Sequence, residues 1–267
     1  VRIAIGVAYD GRGYEGWQSQ PGGNTIQDRL EAALAAIADE PIRVTAAGRT
    51  DAGVHATGQV AHFDTIAERP ESAWIRGVNT QLPDAIAVQW ASPVDAEFHA
   101  RYAATSRTYA YVLHNHPVRP AVFAGKTGWF HLPLDVPRMR AAAGALVGEH
   151  DFSAFRSAEC QARSPVRVLA RAHVERRGDY VLFEFTANAF LHHMVRNLVG
   201  CLVYVGKGAH PPEWVGEVLA GRDRSRAAPT FGPEGLYLTQ VSYPERWNLP
   251  RFASVLAFFT APRPERA

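Results

Sequence analysis

Lysine is nearly missing from this chain: only Lys126 and Lys207 carry an ammonium, and every other fixed cation is an arginine. Guanidinium groups stay charged and present a planar fork suited to phosphate. A GC-rich coding sequence would leave the same bias, so the pattern permits a phosphate-bearing partner without requiring one. The formal net charge is only +2, so bulk charge does not announce a nucleic acid. Cysteine is equally scarce. Cys160 and Cys201 are too few for a disulfide framework and lack metal-site spacing, which favours a reduced compartment. No apolar run approaches the roughly 20 residues that cross a bilayer. The strand-like stretch 1–9 lacks the basic start and apolar centre of a secretory signal. These absences together predict a cytoplasmic protein that avoids membranes. Neither a P-loop nor a dinucleotide fingerprint occurs, so no nucleotide cofactor is expected.

The apolar share of 47% and charged share of 20% exclude a disordered chain, and 267 residues hold one large domain or two modest ones. Ile3, Ile5 and Val7 alternate like a strand. Asn24 is placed to cap a helix, with Gln27 three residues on as in a capping box, and Ile26, Leu30, Ala33, Leu34 and Ile37 recur at helical spacing. Apolar runs at 42–44 and 60–63, a short helix over 71–80 with Trp74, Ile75 and Val78 inward, and a strand at 86–90 complete the order βαββαβ. That order recurs: a strand at 105–113, a helix at 135–147, strands at 166–175 and 180–186 around Arg177-Gly178-Asp179, a helix at 190–205, and a strand at 236–243. The pattern predicts an α+β fold of two ferredoxin-like βαββαβ halves, residues 1–104 and 105–250, in one largely antiparallel sheet with a central cleft. A tail, 251–267, carries Val255, Leu256, Phe258 and Phe259 and is expected to pack on the body or on a second subunit.

The richest chemistry lies at 47–59, Ala-Gly-Arg-Thr-Asp-Ala-Gly-Val-His-Ala-Thr-Gly-Gln. It gathers Arg49, Asp51 and His55 in a glycine-punctuated loop between two strands, where functional side chains sit on a rigid frame. The plainer alternative is a polar hairpin in which Asp51 ties its own backbone.

This loop resembles the active-site loop of the tRNA pseudouridine synthase A family, in which an Asp follows Gly-Arg-Thr and precedes Ala-Gly-Val-His. Further matches fall in register. They are Tyr9-Asp10-Gly11, Gly16-Trp17-Gln18, Thr25-Ile26-Gln27, Phe98-His99-Ala100-Arg101, Arg107-Thr108-Tyr109-Ala110-Tyr111, Asn188-Ala189-Phe190, His192-His193-Met194-Val195-Arg196-Asn197 and Gly235-Leu236-Tyr237-Leu238. The likeness spans about residues 3–250. Position 56 is Ala where many relatives carry Gly.

The resemblance implies an isomerase that breaks the N-glycosidic bond of uridine and rejoins the ribose to C5 of the base. Its implied substrate is the tRNA anticodon stem-loop at positions 38, 39 and 40, and its implied assembly is a homodimer. It makes Asp51 the catalytic carboxylate, as nucleophile or as base, and Arg196 the cation that keeps it ionised. Tyr109 would stack on or hydrogen-bond the uracil and help remove the C5 proton. Arg49 would hold phosphate or fill the space left by the flipped nucleotide. His55 would contact the RNA backbone or make a structural hydrogen bond. Arg156, Arg163 and Arg167, with the segment 222–226, would line the RNA surface or form solvated loops. No cofactor and no metal are expected.

Two rivals compete. A metal-dependent hydrolase would use His150-Asp151 with Asp51, His55, His62, His192 and His193, but the remaining ligand spacings are missing. Adjacent His192 and His193 would also point about 100° apart on a helix. A non-catalytic RNA-binding module would need the aromatic strand motifs of such domains, which are absent.

Overall fold

The computed structural model describes residues 1–250; the expectation for the tail lies outside the described residues. Strand β1 (Arg2–Tyr9) leads to helix α1 (Ile26–Ala38), the two-residue strand β2 (Thr45–Ala46) and β3 (His55–Asp64). A π-helical turn, Ala73–Gly77, runs into α2 (Val78–Gln81) before β4 (Ile86–Val94). The second half holds β5 (Ser106–Asn115), β6 (Gly128–Phe130), α3 (Val136–Gly144), β7 (Gly148–Asp151), β8 (Val166–Arg177) and β9 (Tyr180–Ala187). Helices α4 (Met194–Gly206) and α5 (Glu213–Gly221) and strand β10 (Leu236–Ser242) close it.

All ten strands join one open sheet in the order β4-β1-β3-β10-β5-β9-β8-β7, with β2 on β3 and β6 on β5. β1, β3 and β4, with β2 outside β3, give the ferredoxin-like order, and β10-β5-β9-β8 repeats it in the second half. Neighbours are antiparallel except β5 with β6 and β3 with β10. The β3–β10 pairing, Tyr237 opposite His55 and Leu238 opposite Ala56, welds the halves together. Gly58 permits that contact, because a Cβ there would lie 2.1 Å from the Thr239 carbonyl oxygen.

Alternation decides which face each side chain covers. Ile3, Ile5 and Val7 join the main core beneath α1 and α4, together with Tyr109, Tyr111 and Leu113 of β5. Ala4 and Val60 face a second, smaller core under Trp90 and Phe98. Burying Ile26, Leu30 and Leu34 of α1 stabilises the fold by about 1.5–3 kcal/mol for each side chain.

Several local expectations change. Thr25, not Asn24, caps α1 by accepting from the Asp28 amide at 3.2 Å, whereas Asn24 donates to the Gly13 carbonyl. Gln27 does not reach back to the cap; it accepts from the Ser19 amide and donates to Glu31. The run 42–44 lies outside the ladder, which β2 enters only at Thr45. The last long helix starts at Met194 rather than Phe190. No described helix is long and apolar enough to cross a membrane.

Candidate active site

Hydrogen bonds fasten the loop between β2 and β3 on both sides of Asp51. Ahead of Asp51, the Ala47 amide donates to the Val60 carbonyl and the Gln59 side chain donates to the Gly48 carbonyl at 2.7 Å. The Thr50 hydroxyl shares a 2.8 Å hydrogen bond with the buried Tyr9 phenol, and its carbonyl accepts from the Trp17 amide. That last contact needs Gly16, whose φ is +89° and whose Cβ would stand 2.7 Å from the same carbonyl oxygen. After Asp51, the Val54 amide donates back to the Asp51 carbonyl at 3.1 Å. The carboxylate is left as the loop's exposed chemistry, about one quarter accessible.

The second half meets it from the turn before α4. His192 Nε2 lies 3.2 Å from Asp51 Oδ1, His193 Nε2 3.5 Å from Oδ2, and Arg196 Nη1 3.7 Å from Oδ2. Arg196 is anchored in turn, with Nε donating to the Phe231 carbonyl at 2.8 Å. His193 adopts φ +62°, a left-handed conformation that costs an ordinary residue about 1–2 kcal/mol. This kink overturns the expectation that the two imidazoles diverge on a helix: they precede it, their centroids are 4.0 Å apart, and both address one carboxylate. Burial holds the His193 imidazole below its ordinary range, against the opposing pull of the Asp51 charge.

Tyr109 stands on β5, beside β10, which pairs with β3. It is buried, and the edge of the Phe190 ring approaches it at 5.1 Å. Burial first, then the nearby Tyr9 and Asp51, push its phenol well above the usual range, so it stands as a neutral donor. Arg107, whose burial lowers its pKa, donates to the carbonyls of Ala47, Arg101, Ala104 and Asn188. It thereby ties the approach to Asp51, a crossing segment and the approach to His192 into one frame. Sequence reasoning missed this role, although an arginine two places before a candidate tyrosine on one strand was its signal.

The remaining candidates divide. Arg49 is exposed beside Asp51, with no ion pair among the described residues. Arg156 lines a cavity of about 420 Å³ with Ser153, Ser157, Arg222 and Arg224. The Ser157 amide donates to the His192 carbonyl, so this cavity borders the Asp51 cluster. Arg163 is exposed, and Arg167 donates to the Ser164 and Val166 carbonyls. Within 222–226, Arg224 turns inward to Ala228, Asn197 and Thr230.

His55 takes the second of its two expected roles, the structural hydrogen bond. It is 1% exposed, its Nδ1 meets the Gly11 amide and Asp10, its Nε2 meets the Glu234 carbonyl, and Tyr237 stacks on its ring. With both nitrogens engaged and no accessible edge, it is an internal post rather than an RNA contact. His62 is likewise buried, accepting from the Ala100 amide, and His150 lies on β7 against the Val147 carbonyl. Donor atoms of Asp51, His192 and His193 do fall within 4.8 Å of one another, the spacing of a metal site. Arg196, on the same carboxylate, opposes a cation there.

The Asp51 carboxylate of the first half thus faces one guanidinium and two imidazoles of the second. A family model described as tRNA pseudouridine synthase matches residues 5–103 and 142–244. That defines the class: an isomerase that converts uridine to pseudouridine in tRNA. Named relatives refine it. The chain is 64% identical over 250 residues to "tRNA pseudouridine synthase A" of Thiobacillus denitrificans, covering 94% of this chain and 96% of the relative. It is 59% identical to the protein of that name from Paraburkholderia xenovorans, covering 93% and 92%. The chain belongs to the tRNA pseudouridine synthase A family. Membership overturns both rivals, the hydrolase and the non-catalytic module. Among solved structures, "Structure of H/ACA RNP bound to a substrate RNA containing 2'-deoxyuridine" matches at 14% identity with a TM-score of 0.35, over 75% of this chain and 44% of that one.

Proposed function

We propose that the protein isomerises uridines 38, 39 and 40 in the anticodon stem-loop of tRNA, with Asp51 as the nucleophile. The observation that carries this reading is the Asp51 carboxylate of the first half facing His192, His193 and Arg196 of the second. The target nucleotide leaves its stem and enters between the halves, 1–104 and 105–250. An Asp51 oxygen bonds to the ribose C1′ as the bond from C1′ to N1 breaks, and the electron pair goes to the uracil. The freed base turns, C5 displaces the carboxylate from C1′, the C5 proton departs and N1 takes a proton. Asp51 ends unchanged.

Arg196 and the imidazoles hold the Asp51 carboxylate in place before attack and after release. Tyr109, neutral and beneath the site, stacks on the uracil and relays the C5 proton; a standing phenolate there would be costly. Arg49 fills or clamps the gap left by the flipped nucleotide. Arg156 and Arg163 contact phosphates of the stem, Arg156 from its cavity beside Arg222. Two chains act together in the cytoplasm, each small beside an L-shaped tRNA.

The test is tritium release from tRNA transcripts labelled at uridine C5, with the products mapped by position. Wild type is expected to release label at 38, 39 and 40. Asp51→Asn is expected to bind tRNA and release none. Release by the variant would remove Asp51 from the centre of the reaction, and label lost from other positions would correct the substrate.

A further inference from the structure

The most exposed aromatic side chain among the described residues is Tyr102, 77% accessible; Trp129, the next large exposed ring, is 42% accessible. The Tyr102 ring is also held in place. His99 Nδ1 accepts from the amides of both Arg101 and Tyr102, at 3.2 and 3.3 Å, which fixes the imidazole as the tautomer protonated at Nε2. The Tyr102 ring lies over that imidazole with centroids 4.3 Å apart, and the Arg101 guanidinium sits 5.8 Å from the ring centre. Behind His99 stands the buried His62, 5.0 Å away. A largely exposed aromatic ring, with a guanidinium 5.8 Å over it, therefore projects from a rigid base.

Its place in the fold matters as much as its construction. Arg107 donates to the Arg101 carbonyl at 2.6 Å and to the Ala47 carbonyl at 2.9 Å through the same nitrogen. Arg107 and Tyr109 stand two residues apart on β5 and so share a face. So the segment bearing Tyr102 is clamped to the approach of the Asp51 loop through the strand that carries Tyr109. Exposed Arg49 adds a second cation on the Asp51 loop.

We propose that Tyr102, flanked by His99 and Arg101, is a stacking platform for a nucleobase of the substrate RNA next to the uridine that enters the Asp51 cleft. Flipping one nucleotide out of a stem exposes the faces of its neighbours to water. An aromatic face restores one of those stacks, and a base has a π-face whatever its identity, so the platform suits several adjacent target positions. The Arg101 guanidinium adds cation–π attraction and charge toward phosphate. The inference rests on the proposed reading of the cleft.

Tyr102→Ala, Tyr102→Phe and wild type are compared for tRNA binding, for tritium release at limiting and saturating tRNA, and for size in solution and melting temperature. Loss of a stacked base weakens binding by roughly 5- to 150-fold. Tyr102→Ala is therefore expected to lower kcat/KM by at least about fivefold, with kcat nearly unchanged, while Tyr102→Phe behaves as wild type. An abasic site introduced at the stacked neighbour in the transcript should cost wild type what the alanine variant has already lost. Unchanged binding by Tyr102→Ala, or a loss that Tyr102→Phe shares, overturns the proposal. A change in oligomeric state overturns it too, assigning the ring to a second copy of the chain. If wild type releases no tritium, the reading of the cleft fails instead, and the binding comparison still decides the platform.

Discussion

Two pairs of histidines look alike in the sequence and play opposite parts in the structure. His55 and His62 lie on β3, buried, each held by backbone groups. His192 and His193 lie in a kinked turn, each about one third exposed or slightly less, and both face Asp51. Residue type does not separate the pairs. What separates them is whether the ring nitrogens are already engaged inside the fold. A ring with every partner internal is a post; a ring whose partner is a partly exposed carboxylate belongs to a site.

Substituting the buried pair should cost stability, and substituting the turn pair should cost rate. His55→Ala leaves the Gly11 amide and the Glu234 carbonyl without partners and removes the ring stacked on Tyr237. The expected loss is about 3 kcal/mol in urea unfolding. His62 separates the pairs by pH. Burial first, then the Arg2 and His99 charges, lower its pKa to about 4. Its folded pKa lies below the unfolded value of about 6.5, so the unfolded chain binds the proton more readily. The associated stability is present above pH 6.5 and is lost as pH falls from there toward 4. Unfolding free energies from urea titrations at pH 7.5 and pH 5 should differ by about 2 kcal/mol more for wild type than for His62→Gln. His192→Ala, in the turn, is expected to slow tritium release about tenfold, roughly 1.4 kcal/mol, with the melting temperature unchanged. At the foot of the scale, Thr25→Ala removes the α1 cap and should cost about 1 kcal/mol of stability without touching the rate.

Most of the architecture was legible because it follows from local patterns. Alternation in β1 and β5 and the helical stripe from Ile26 to Leu34 recur as expected, and so does the doubled βαββαβ order. The short strands β6 and β7 were not legible. At three and four residues they carry too little alternation to stand out and form because longer strands offer them an edge. The Asp51 loop announced itself through its glycines and charge spacing. Arg196 came forward only through family resemblance, since a single helix arginine carries no signal about which loop it will face. The meeting of His192 and His193 on Asp51 was hidden for a sharper reason. Helical periodicity through 190–205 implies diverging rings, and only the left-handed His193 reverses that geometry. A non-glycine residue at positive φ is a tertiary compromise, and the sequence has no code for it. The framing role of Arg107 was concealed likewise, because its four carbonyl partners come from three separate segments.

In the proposed mechanism Asp51 works because the second half presents a cation to it across the join. The direct measurement is single-turnover tritium release by Arg196→Gln at saturating tRNA, alongside tRNA binding. The expected rate is about 100-fold lower, with affinity within about threefold of wild type. A rate equal to wild type, or a loss that more tRNA restores, would contradict it and reduce Arg196 to a support for the Phe231 segment.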